Sequence, residues 1–238
     1  MTTLAIDTCE ARGSVAVRRS GLSIAVIKHL DATDYSAWLL PAVERALAEA
    51  GVKMEQLSLV AVATGPGSFT GLRVGLTTVK AWAEVYGHPI VGVSRLEAMA
   101  RLMRTPSGLV AACYNAQRGQ MFGGLYRSWD GRWEGIGDEL VIAPGDFVEL
   151  VEKQAGEELV TWICLDPELI TDLQTMQRRV AQGDTVQLCE PELATSIGAL
   201  AELRAAKGEW SDPLSLDANY VRRSDAEIFW KGPSASVR

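Results

Sequence analysis

Histidine is almost missing: 238 residues contain two, His29 and His88, in unrelated contexts. Metal centres usually gather clustered His, Cys or carboxylate ligands, so a dedicated metal site is not expected. The four cysteines, Cys9, Cys113, Cys164 and Cys189, form no CxxC spacing and sit mostly in apolar runs such as AACYNA and TWICLD; they read as small buried hydrophobes. Basic residues are short as well. With 23 Lys and Arg against 30 Asp and Glu, the net charge of −7 excludes wrapping of nucleic acid by bulk electrostatics, which needs clustered cations. No apolar run approaches the ~20 residues of a membrane helix. The opening MTTLAIDTCE has no basic stretch followed by an apolar one, so no signal peptide is expected and the chain reads as cytoplasmic.

What is present is a change of period. LAIDT (4–8), SVAVRR (14–19) and LSIAVIKHL (22–30) read as strands in quick succession, with a hairpin turn at Ser20-Gly21. SAWLLPAVERALAEA then switches to helical spacing and stops at Gly51, although Pro41 should end or kink it. LSLVAVATG (57–65) and HPIVGVS (88–94) are continuous apolar runs of the kind buried on both faces. Helices are predicted from Ser68 to Tyr86 and over RLEAMARLMR (95–104). TPSG (105–108) reads as a linker. Beyond it the pattern partly restarts, with strands LVAACYNA, QMFGGLYRSW, ELVIA and LVTWICLD and helices PGDFVELVEKQAG and ATSIGALAELRAAKG. The order predicts an α/β chain of two tandem β-β-β-α-β-α-β-α lobes, 1–105 and a reduced 106–238. That is the ground plan of the two-lobed actin-like ATPase (ASKHA) fold.

The stretch TGPGSFTGLRVG (64–75) looks like a phosphate loop but fails the common spacings. No Lys follows a glycine as GxxxxGK[ST] requires, and Thr70 stands where a dinucleotide fingerprint needs its third glycine. The first actin-type turn, AIDTCEARG, keeps Asp7 and Thr8 without the nearby glycine that lets backbone N–H groups approach a phosphate; in its second-lobe counterpart, YNAQRG, Asn115 replaces the useful aspartate. Asp7, Thr8, Gly65, Gly67 and Ser68 are therefore expected to be at most a vestigial anion loop, with Ser68 as helix N-cap. Ser68 as a hydrolase nucleophile has neither the GxSxG elbow nor an evident base.

The helix after Ser68 carries two apolar stripes where a surface helix needs one. One is Gly71, Val74, Gly75, Thr78, Trp82 and Val85; the other is Phe69, Leu72, Leu76, Val79, Ala83 and Tyr86. Glycines every four residues let another helix approach, either within the lobe or in a partner. Trp38, outside the main stripe of the preceding helix, hints at extra contact surface. The partner-facing set expected from these stripes is Trp38, Leu39, Gly71, Val74, Gly75, Thr78 and Trp82.

LAIDT, ATGPGSFTGLRVGL, PIVGVSRLEAMA, NAQRGQMFGGLY and the terminal ANYVRRSDAEIFWK together resemble the TsaB (YeaZ) family over nearly the whole chain, GPGSFTGLRVG being the most specific part. The resemblance implies a non-catalytic scaffold in bacterial tRNA modification. It implies TsaD as paralogous partner, which transfers threonylcarbamoyl from its adenylate to N6 of the adenosine beside the anticodon, and the ATPase TsaE. It implies docking through the two first-lobe helices. The transferase paralogue carries two metal-binding histidines on its first helix; the matching DATDYSAWLLPAV has none, so metal and transfer chemistry do not carry over. No cofactor is expected in the chain itself, with ATP or ADP confined to the complex interface or to partners. Arg222, Arg223 and Lys231 are candidate tRNA-facing residues, and a homodimer is the expected pairing without TsaD. The alternative is a free-standing actin-fold ATPase or small-molecule kinase, or more remotely a metal-dependent peptidase.

Overall fold

The computed structural model describes residues 1–30, 33–103 and 107–221. Strands β1 (Thr2–Asp7), β2 (Ser14–Arg19) and β3 (Leu22–Lys28) form an antiparallel meander. Ser20 and Gly21 close its second turn with φ of 51° and 82°, a pair of positive values that suits a two-residue hairpin. Strands β4 (Leu59–Gly65) and β5 (Ile90–Ser94) add in parallel beyond β1, giving the order β3-β2-β1-β4-β5.

Alternation along these strands separates two kinds of surface. Leu4, Ile6, Val15, Val17, Val60 and Val62 face helices α1 (Tyr35–Ala50) and α2 (Phe69–Tyr86), which bury Leu39, Val43, Leu76 and Val79. Each such side chain, fully buried, contributes about 1.5–3 kcal/mol. Ala5, Ala16, Ala61 and Ala63 point the other way, and their small side chains leave room for a helix close to the sheet. Pro41 does not end α1, which continues for nine residues beyond it to Ala50. Burial of Leu39, Ala42, Val43 and Ala46 on both sides of the proline outweighs the one missing backbone donor.

A second sheet follows. Its strands are β6 (Ser107–Gln117), β7 (Gln120–Trp129), β8 (Arg132–Gly135), β9 (Leu140–Ile142), β10 (Val160–Cys164) and β11 (Thr185–Leu188). The order is β11-β10-β6-β7-β8, with β9 also on β7. Helices α4 (Pro144–Ala155), α5 (Glu168–Thr171) and α6 (Gln174–Gln182) cover its outer face, where Phe147, Val148, Val151 and Trp162 are buried. Of the linker TPSG, residues 105 and 106 lie outside the described residues, while Ser107 and Gly108 already belong to β6.

Two helices occupy the space between the sheets. Helix α3 (Arg95–Ala100), from the first half of the chain, lies against β6 and β7. Helix α7 (Ala194–Ala206), from the second half, lies across β1, β2, β4 and β5. Gly198 is what lets α7 settle there: a Cβ on it would come within 2.5 Å of Arg18 Cδ and 3.0 Å of Ala5 Cβ. The layers run helix, sheet, helix, sheet, helix, and the interlobe layer is built from Ala5, Ala16, Ala61, Leu96, Met99, Val110, Tyr114, Ile197 and Ala201.

Candidate functional site

A cleft of about 500 Å³ opens where the two lobes meet. Its first-lobe side is the β1–β2 turn (Cys9, Glu10, Ala11) with Gly67 and Ser68; its second-lobe side is the β6–β7 turn (Asn115 to Arg118) with Tyr114 and Phe122; and Asn219 to Val221 line it as well. The sequence candidates Asp7, Thr8, Gly65, Gly67 and Ser68 are thus brought together, on the first-lobe side of the cleft.

Their polar groups are already engaged with one another. Asp7 is fully buried and receives Arg95 Nε at 3.0 Å on one oxygen and the Cys9 amide at 3.0 Å on the other. Arg95 is equally buried, donates to the Pro191 carbonyl at 3.1 Å and lies over the Tyr114 ring, 4.6 Å from its centroid. Burial is the largest single influence and depresses the guanidinium's pKa, but the charges of Asp7, Tyr114 and Cys9 and the Asp7 hydrogen bond together hold it well above the ordinary value. Thr8 donates its hydroxyl to the Gly71 carbonyl at 2.7 Å. The Ser68 amide donates to the Cys9 carbonyl at 2.6 Å, and the Ser68 hydroxyl caps α2 by accepting from the Gly71 amide at 3.4 Å. Tyr114 donates to the Pro66 carbonyl at 2.5 Å, next to a cis Gly65–Pro66 peptide. The Cys9 thiol is pushed up by burial and by the neighbouring Asp7, so it keeps its proton while it stays buried. Chemically, the Asp7 carboxylate is already paired with Arg95, and the Ser68 and Gly71 amides that could meet a phosphate are already committed.

The glycine stripe answers to the same turn. A Cβ on Gly67 would stand 2.2 Å from the Cys9 carbonyl oxygen, one on Gly71 2.0 Å from the Thr8 carbonyl oxygen, and one on Gly75 2.5 Å from Thr8 Oγ1. Gly71 and Gly75 therefore do not belong to a partner-facing surface; they let α2 rest directly on the β1–β2 turn of its own lobe. Leu39 is corrected for the same reason, being 1% exposed in the core beneath α1. Trp38, Val74, Thr78 and Trp82 are half-buried. Val74, Thr78, Trp82 and the exposed Val85 follow one line along α2. Trp38 also packs edge-on against Tyr35 and His29, with ring centroids 5.7 and 4.8 Å away. Arg222, Arg223 and Lys231 lie outside the described residues.

Arg95 and Tyr114 are not among the candidate site residues read from the sequence, and the C-terminal ANYVRR stretch is read there only for its resemblance and its basic residues. The available signal for Arg95 is a cation at the first position of a helix, directly after a buried strand.

A family model described as TsaD: tRNA N6-adenosine threonylcarbamoyltransferase matches residues 26–199. The chain is also 34% identical, over 232 residues, to the tRNA threonylcarbamoyladenosine biosynthesis protein TsaB of Bacillus subtilis, covering 97% of this chain and 98% of that protein. The chain belongs to the TsaB family. Among solved structures, YeaZ from Pseudomonas aeruginosa superposes with a TM-score of 0.72 at 24% identity, over 92% of this chain and 99% of that one. The ROK hexokinase of Thermus thermophilus gives 0.50 at 13% identity, over 85% and 98%. These likenesses concern the fold, which is the two-lobed actin-like ATPase fold expected from the element order. Among the described residues, no helix is long and apolar enough to cross a membrane.

Proposed function

We propose that the chain is a scaffold subunit in the biosynthesis of threonylcarbamoyladenosine in tRNA, docked to a TsaD protein and not itself the transferase. The observation that carries this reading is the Asp7–Arg95 pair. In the superfold this turn faces the phosphates of a bound nucleotide; here its aspartate is fully buried and neutralised by an internal guanidinium. An enzyme that used this turn would have to break a buried ion pair, which costs about 3–5 kcal/mol when one partner is lost.

The docking face is the outer side of the α1–α2 layer, around Trp38, Val74, Thr78 and Trp82, with Leu40 and Val85 standing out at 52% and 73% exposure. Exposed apolar residues beside half-buried tryptophans are the composition of an interface core. The acidic chain leaves most tRNA contact to the partner, TsaE completes the assembly, any nucleotide sits at the interface or on a partner, and the cytoplasm is where the substrate is found. Without TsaD the same face serves a two-fold homodimer.

The test is co-purification with TsaD followed by a tRNA modification assay with and without this chain. Retention on TsaD, modification that depends on the chain, and no ATP turnover by the chain alone are expected. ATP hydrolysis or threonylcarbamoyl transfer by the isolated chain would overturn the reading. Val85→Glu, at an exposed position, should leave the melting temperature within about 1–2 °C while weakening retention on TsaD.

A further inference from the structure

The segment after α7 crosses back over the first lobe. Ser211 donates its amide to the Ile90 carbonyl at 2.9 Å and accepts the Gly92 amide on its hydroxyl, also at 2.9 Å. Leu216 lies so close to Gly92 that a Cβ there would stand 2.6 Å from its Cδ1. The Asn219 amide then donates to the Thr64 carbonyl at 2.7 Å. Tyr220 stacks obliquely near Phe69, 5.4 Å between centroids, and its hydroxyl accepts from Arg73 Nε at 3.2 Å. Asn219, Tyr220 and Val221 line the interlobe cleft together with Cys9, Gly67 and Ser68.

One carboxylate fastens this strap. Glu139, in the second lobe, accepts from Asn219 Nδ2 at 2.5 Å on one oxygen. On the other it accepts from the Tyr126 hydroxyl at 2.6 Å and from the Ser94 hydroxyl. Its three donors come from three segments: the end of β5, strand β7 and the strap. Hydrogen bonds to a charged acceptor are stronger than neutral ones, so Glu139 concentrates the hold on the strap in one place. The strap's other anchors are the bonds at Ser211, Asn219 and Tyr220 and the partly buried Leu216 and Ala218. Every residue from Ser211 to Val221 is half-buried or exposed, and Leu214 is 91% exposed. Segments with no buried residue open at a free energy below that of global unfolding.

We infer that residues 211–221 form a releasable gate over the interlobe cleft, with Glu139 as its catch and Asn219 as the residue it holds. Release frees the Tyr220 contact on the first turn of α2 and opens the route to the first-lobe side of the cleft, where Cys9 sits.

Thiol trapping reads this on the intact chain, without any partner. Cys9 lines the gated cleft, while Cys113 and Cys164 are buried on adjacent strands of the second sheet. Iodoacetamide labelling followed by peptide mass spectrometry gives a rate for each. Asn219→Ala and Glu139→Ala should each raise the Cys9 rate about tenfold, the scale of a local opening. Rates at Cys113 and Cys164 should stay unchanged, and combining the two variants should add little. An unchanged Cys9 rate in Asn219→Ala, a change at an unburied position, overturns the gate. So does a parallel rise at all three thiols, which would mean general loosening.

Discussion

Gly71→Ala is a sharp test of how α2 is seated. In a solvent-facing helix, glycine to alanine stabilises by about 1 kcal/mol, because glycine gives up more chain entropy. Here the added Cβ meets the Thr8 carbonyl oxygen at 2.0 Å, against about 3.4 Å for ordinary van der Waals contact. The helix and the turn must therefore part by about 1.4 Å. That movement strains or breaks the Thr8–Gly71 bond at 2.7 Å and the Ser68–Cys9 bond at 2.6 Å. Overpacking costs typically 1–3 kcal/mol, and each lost hydrogen bond about 0.5–1.5 kcal/mol. After the propensity gain is subtracted, the net destabilisation is about 1–5 kcal/mol. For a chain of this size that lowers the melting temperature by roughly 2–20 °C. Circular dichroism melts, with urea titration followed by tryptophan fluorescence, measure it. An unchanged or raised melting temperature would refute the close seating of α2 on the β1–β2 turn and return Gly71 to an open surface.

Two further outcomes follow from the buried charges. Asp7→Ala leaves Arg95 buried without its carboxylate and should cost about 3–5 kcal/mol in denaturant titrations, whereas the double change Asp7→Asn with Arg95→Met should recover most of that loss; equal destabilisation by single and double variants would contradict the pairing. Burial, chiefly, raises the Glu139 carboxyl above its ordinary value. A carboxyl raised in the folded state favours folding while it is protonated, and that advantage is lost as pH rises through the folded value. Glu139→Gln should therefore gain melting temperature relative to the parent between pH 4 and pH 7; a difference that is flat or shrinks over that range would contradict it.

How far the sequence reveals this molecule varies along it. Helix α2 is bounded correctly by a capping serine and a closing glycine, because both signals are local. The glycine periodicity inside it is equally plain, yet its purpose is not. The backbone that fills the space beside Gly71 lies 63 residues away at Thr8, and spacing alone does not distinguish that turn from a partner's helix. Pro41 misleads in the opposite direction, since the buried face of α1 outweighs a local prohibition. In the second lobe β8, α5, α6 and β11 are unread. They are short, and QTMQRRVAQ has too few apolar residues to display a period. That the AIDT turn lacks its glycine is legible in the sequence. The guanidinium that fills it is not, because Arg95 reaches Asp7 only through the fold.

The crossed placement of α3 and α7 has a consequence for how the chain is made. The alanine face of the first sheet is covered by a helix that ends at Ala206. During synthesis the five strands of that sheet are complete at Ser94, more than a hundred residues before their cover has left the ribosome. At about 5–20 residues per second the wait is roughly 5–20 s. Throughout it the nascent first lobe presents a bare apolar face that its own half of the chain cannot close, and that face is where a ribosome-associated chaperone would find it.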